Sequence, residues 1–145
     1  MEILNRQASY NYFIEDTYEA GLVLKGTEIK SIRSGKCNIK DSYVIIKNNE
    51  VYLLNTHISA YEQGNIFNHE ETRDRKLLLN KQEILKLSSK LNIEGYTLIP
   101  LKIYFVKGRA KVQIGVCKGK KTFDKRASLK EKDIERELKQ NAKYR

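Results

Sequence analysis

The sequence predicts a mainly β fold with short helices: a small, closed or nearly closed β-barrel of the OB type followed by a basic C-terminal tail. Three observations carry that expectation. About six strand segments alternate apolar with polar residues, and four of them are joined pairwise by short turn sequences. One short and one longer helix signal lie between the hairpins. The charge pattern breaks at Lys118, since residues 118–145 hold eleven Lys and Arg against five Asp and Glu, while residues 1–117 hold seventeen against thirteen. The last fifth of the 145 residues therefore carries +6 of the net +10. This length suits one domain with an appendage, so the expected division is a barrel over 1–117 and a tail over 118–145.

Taken in order, Tyr10, Tyr12 and Ile14 alternate before the continuous run Leu22, Val23, Leu24, which reads as one long strand over 10–24 bent near Gly21. Thr27 as N-cap, Glu28 in the first turn and Gly35 as stop bracket a short helix whose inner face is Ile29 and Ile32. SYVIIK and VYLLNT, residues 42–47 and 51–56, flank Asn48 and Asn49, which tolerate positive φ and predict a tight hairpin. From His57 to Lys76 the pattern dissolves into a long loop containing the basic cluster RDRK. Asn80 then pairs with Glu83 as a capping box, Leu79 and Ile84 are spaced as a staple, and Ile84, Leu87 and Leu91 form a buried stripe ending at Asn92. Residues 96–106 and 111–117 form a second hairpin around KGRA, with Pro100 confined to an edge or bulge because it lacks an N–H. In the tail, Ser128 and Glu131 read as another capping box for a helix. On it Lys132, Arg136, Lys139 and Lys143 share one stripe, while Ile134, Leu138 and Ala142 form an apolar strip too thin to pack alone. That helix is expected to form when bound to an anionic partner.

The basic balance favours a polyanion, and no apolar run approaches the ~20 residues needed to span a bilayer. The first residues lack a signal-peptide layout, so the expected compartment is the cytoplasm. Cys37 and Cys117 stand alone, with His57 and His69 distant from any ligand spacing, so neither a disulfide scaffold, a metal nor another cofactor is expected. No P-loop, nucleophile elbow or zinc-protease motif occurs, and catalytic residues are not expected. Lys102 and Tyr104 on one strand, and Lys111 and Gln113 on the next, project opposite to the apolar face. Such a face suits nucleic acid, though any half-exposed sheet alternates in this way. On these grounds alone an OB-type ribosomal or initiation-factor-like binder and an RNA-processing enzyme both remain open.

The segments LNRQA, YEAGLVLKGTEIKSIRSGKCNIKDSYV, RDRKLLLNKQEI, GYTLIPLKIY, KVQIGVCKGKK and DKR, in this order, resemble the SsrA-binding protein (small protein B) family, the bacterial partner of transfer-messenger RNA in ribosome rescue. The resemblance covers nearly the whole chain. It implies a non-enzymatic adaptor whose barrel binds the tRNA-like domain of transfer-messenger RNA for trans-translation. The tail would then enter the decoding centre and messenger channel of the small ribosomal subunit. RNA contact would fall on Asn5, Glu19, Leu78 and Asn80, supported by Lys36, Arg75 and Lys76. Asn80 serves equally well as a helix cap, and Leu78 as core. Gly119, Lys120 and Lys121 would face ribosomal RNA, Phe123 would stack on a base where family members also carry histidine, and Asp124, Lys125 and Arg126 match the family's DKR. The implied partners are transfer-messenger RNA and small-subunit ribosomal RNA, with no membrane, and the chain is expected to act as a monomer.

Overall fold

The computed structural model describes residues 2–61, 69–93 and 95–119. Within them the strands are β1 (Glu2–Leu4), β2 (Tyr12–Leu22), β3 (Cys37–Asn38), β4 (Tyr43–Lys47), β5 (Glu50–Leu54), β6 (His57–Ile58), β7 (Arg75–Leu78), β8 (Tyr96–Val106) and β9 (Arg109–Gly119). The helices are α1 (Ala8–Asn11), α2 (Gly26–Arg33) and α3 (Lys81–Leu91). All pairings are antiparallel. The main sheet runs β1-β8-β4-β5-β7-β2-β9, and β8 also pairs with β9, so six strands close into the predicted OB-type ring. Closure between β4 and β8 rests on the single pair Val44↔Leu98, and β1 continues along β8 at Lys102 to Tyr104. Cys37 and Asn38 pair with His57 and Ile58 in a separate two-stranded ribbon.

The Asn48–Asn49 hairpin forms as expected, with φ of 53° and 62° at the two central residues. Lys107 and Gly108 do the same between β8 and β9. Pro100 sits in a register shift between Pro100 and Lys102, where a bulge spares the ladder its missing donor. Gly35, at φ 77°, ends α2: its N–H donates to Ile32 O at 2.9 Å and that of Lys36 to Ser31 O at 2.9 Å, a Schellman closure. In α3, Glu83 N–H donates to Asn80 Oδ1 at 2.9 Å and Asn80 N–H to Glu83 Oε1 at 3.1 Å.

Several expectations are corrected. Tyr10 belongs to α1 rather than to the long strand, which begins at Tyr12 and is kinked by a register shift between Ile14 and Asp16. Gly21 is instead where β2 passes from pairing with β9 at Lys111 to pairing with β7 at Leu78. Thr27 does not cap α2. The cap position is Lys25, two residues earlier, where the Lys25 N–H donates to Glu28 Oε1 at 2.7 Å, and the Thr27 hydroxyl meets His69 Nδ1 at 2.9 Å. The long loop yields β6 and β7, and β9 carries Lys118 and Gly119 beyond the expected end of the barrel at 117. The tail residues 120–145, where a helix is expected after Ser128, lie outside the described residues.

Inside the ring, Ala20, Leu53, Leu98, Ile103, Val112 and Ile114 are fully enclosed, Leu87 enters from α3 and Ile32 from α2. Ile84 and Leu91 are half-buried beside Leu87, completing the stripe read on α3, whereas α2 turns Glu28, Ser31 and Ile32 inward and leaves Ile29 half-buried. A second small cluster of Ala8, Ile99 and Cys117 packs with Tyr12 and Leu101. Gly115 belongs under this cover, since a Cβ there would stand 3.0 Å from Leu101 and from Cys117 Sγ. No helix among the described residues is long and apolar enough to cross a membrane.

Candidate nucleic-acid interface

The outward face of β2, β9 and β8 is one continuous polar surface because the ladder fixes its rows. Glu19 and Lys102 both lie opposite Gln113, and in the next row Gly21 and Tyr104 both lie opposite Lys111. The inward neighbours, Ala20, Val112 and Ile103, are fully buried, which forces this alternate set outward. The Tyr104 hydroxyl donates to Glu19 Oε2. Burial, followed by the neighbouring Glu19 carboxylate, pushes the Tyr104 phenol up to about 12. Lys102 Nζ lies 5.1 Å from the centre of the Tyr104 ring and 3.3 Å from Glu2 Oε2. The face thus presents cations, an aromatic ring, an amide and a carboxylate, the mixture that contacts phosphate, base and sugar.

Beside it runs a trough of about 420 Å³ lined by Gly21, Val23, Leu78, Arg109 and Lys111. Leu78 is 54% exposed while its neighbour Leu77 is core, so Leu78 is a surface residue and the core alternative fails. Gly21 makes the trough possible, because a Cβ there would stand 3.3 Å from Leu78 Cβ. Glu19 and Leu78 therefore meet at one region through Gly21. Sequence reasoning missed Gly21, Val23 and Arg109 here. The available signal was a glycine inside a strand, which marks close approach of a neighbour.

The remaining expected contacts fare differently. Arg75 is a correction: it is fully buried, with Nε 2.7 Å from Glu28 Oε2, Nη1 donating to the carbonyls of Thr56 and Arg73, and Nη2 to those of Glu70 and Glu71. Every guanidinium N–H is spent inside the protein, leaving none for RNA. Asn5 is half-buried, with its amide engaged inside the protein. Its amide N donates to Pro100 O at 3.0 Å and Ile39 O at 3.4 Å, its backbone N–H donates to Leu101 O, and its Oδ1 is closed off from solvent. It pins the N-terminal segment to the β8 bulge. Asn80 is exposed, but its Oδ1 caps α3. Lys76 is exposed on β7 and pairs with Glu50 at 2.5 Å. Lys36 is tied through its backbone to Ser31 and Ser59, beside β3. Gly119 is the exposed end of β9, opposite Tyr12. Lys120, Lys121, Phe123, Asp124, Lys125, Arg126, Lys132, Arg136, Lys139 and Lys143 lie outside the described residues.

Fold and face together define a small OB-type barrel whose outer surface carries cations and an aromatic ring beside a shallow trough. The chain belongs to the SmpB protein family, whose model matches residues 2–144. It is 58% identical over 144 residues to the SsrA-binding protein of Clostridium tetani (strain Massachusetts / E88), covering 97% of this chain and 92% of that protein. The SsrA-binding protein of Desulfitobacterium hafniense (strain DSM 10664 / DCB-2) is 57% identical over 134 residues, 92% of this chain and 86% of its own length. A solved chain from "tmRNA-SmpB: a journey to the center of the bacterial ribosome" superposes with a TM-score of 0.73 at 44% identity, covering 88% of this chain and 94% of that one.

Proposed function

We propose that this chain is an RNA-binding adaptor that holds the tRNA-like domain of transfer-messenger RNA and delivers it to stalled bacterial ribosomes for trans-translation, working in the cytoplasm. The observation that carries this reading is its identity of more than half with proteins named for SsrA binding, across nearly the full length of both. The barrel face around Glu19, Leu78, Lys102, Tyr104 and Lys111 is the surface offered to that RNA, and Lys36, Lys76 and Asn80 add to it from flanking elements. Beyond β9 the basic tail acts as a separate probe, in which Lys120 and Lys121 meet ribosomal RNA, Phe123 stacks, and the stripe from Lys132 to Lys143 follows the empty messenger channel.

The work is recognition, not turnover. Burial pushes the Cys37 thiol up to about 12 and the Cys117 thiol up to about 11, which keeps both protonated and poorly nucleophilic at neutral pH. The test is affinity for full transfer-messenger RNA against bulk tRNA at matched, moderate salt. Clear preference for the former is expected, and comparable binding would sink the adaptor reading in favour of a general RNA binder.

A further inference from the structure

A carboxylate on an RNA-facing surface is unusual, because it repels phosphate and gains only from hydrogen-bond donors of a base or a ribose. Glu19 is exposed on β2, and left to itself a long acidic side chain samples many rotamers that binding must freeze. Its surroundings differ from those of a free surface glutamate. Tyr104 stands two strands away on β8, half-buried and held by ladder partners on both sides, Lys111 on β9 and Glu2 on β1. Lys102 lies against its ring and is steadied in turn by Glu2. The phenol is thus a fixed donor reaching diagonally across β9 to a mobile acceptor, and it takes up Oε2 alone.

We propose that Tyr104 is a positioning residue for RNA recognition: it locks the Glu19 carboxylate in one orientation so that Oε1 accepts a hydrogen bond from a donor group of the RNA. This rests on the reading that the β2–β9–β8 face binds RNA. The phenol keeps its proton far above neutral pH, so it acts as donor throughout the working range. The role is geometric, and it explains why a tyrosine rather than a further lysine occupies the centre of a basic face.

The test is a double-mutant cycle on the full chain with Tyr104→Phe and Glu19→Ala, binding a transcript of the tRNA-like domain and, in parallel, bulk tRNA. Tyr104→Phe keeps the ring and removes only the hydroxyl. It should weaken binding about two- to tenfold, the factor expected when one long side chain must be ordered on association. In the Glu19→Ala background the same change should do nothing, and its salt slope should match that of the parent because no phosphate contact is lost. Unchanged affinity for Tyr104→Phe, an equal loss in both backgrounds, a shallower salt slope, or no effect of Glu19→Ala alone would each overturn the proposal. An all-deoxy copy of the RNA separates the two donors: coupling retained assigns a base amino group, and coupling lost a ribose hydroxyl. Equal affinity for the two RNAs would sink the adaptor reading, while the cycle on either RNA still judges Tyr104.

Discussion

Replacing Arg75 with Met separates a structural arginine from an RNA-binding one. Arg75→Met keeps a long apolar stem and deletes all the donors, so the carbonyls of Thr56, Arg73, Glu70 and Glu71 lose a partner at once. Glu28, itself fully buried, would keep Arg73 at 2.6 Å and the Lys25 N–H at 2.7 Å. Removing one partner of a buried ion pair costs about 3–5 kcal/mol, because the other charge stays buried without full compensation. The surviving Arg73, 23% exposed, puts the expectation at the lower end, about 3 kcal/mol. For a domain of this size that lowers Tm by roughly 10 °C and leaves most of the protein folded at 20 °C. Circular-dichroism melts measure the first quantity, and filter binding at 20 °C with the tRNA-like domain measures whether affinity stays within about twofold. A parent-like Tm combined with a tenfold loss of affinity would refute the argument and return Arg75 to the RNA interface.

The same network sets the acid limit of the barrel. Burial alone pushes the Glu28 carboxyl up, but hydrogen bonds from Arg73, the Lys25 N–H and Arg75 outweigh it and hold it below its ordinary 4.5. A carboxyl depressed by folding stabilises above its unfolded value and loses that contribution as pH falls through the folded one, so urea midpoints should hold near neutral pH and drop below about pH 4.5. Glu28→Gln should flatten part of that acid slope. Asn80→Ala should cost about 1 kcal/mol through loss of the α3 cap, and Asn80→Asp should restore stability in urea titrations. If Asn80 also meets RNA through its amide N–H, affinity stays low in Asn80→Asp. Ending the chain after Lys121 should leave the Tm and binding to the tRNA-like domain nearly unchanged while abolishing peptide tagging on stalled ribosomes. A truncated chain that unfolds would show that barrel and tail are not separable.

What the sequence made legible was chemistry acting within a few residues. Asn48 and Asn49 carry their own backbone preference, Asn80 and Glu83 cap each other three residues apart, and Pro100 forces a bulge wherever it enters a ladder. Thr27 misled for the same reason. A hydroxyl at a helix start reads as a cap, yet the Glu28 carboxylate had already taken the Lys25 N–H, and His69, 42 positions away, took the hydroxyl. Helix α1 has four residues and so no period to detect. The Glu19–Tyr104 bond spans 85 positions and exists only because β9 lies between their strands.

Arg75 and Lys76 show why a count of positive charge does not locate an interface. In the cluster RDRK they are adjacent and look alike. Once β7 forms, strand alternation sends Arg75 inward with Leu77 and leaves Lys76 outward with Leu78. Only Glu28, 47 residues back, makes the inward position tolerable for a cation. Outside the core the discounting continues, since Lys76 pairs with Glu50 and Lys102 with Glu2. The net excess over 1–117 is four positive charges, against six over residues 118–145, and net charge alone does not mark a face of the barrel. On the barrel the proposed recognition rests instead on groups with shape and direction: the carboxylate of Glu19 held by Tyr104, the exposed Leu78, and the bare backbone of Gly21 between them.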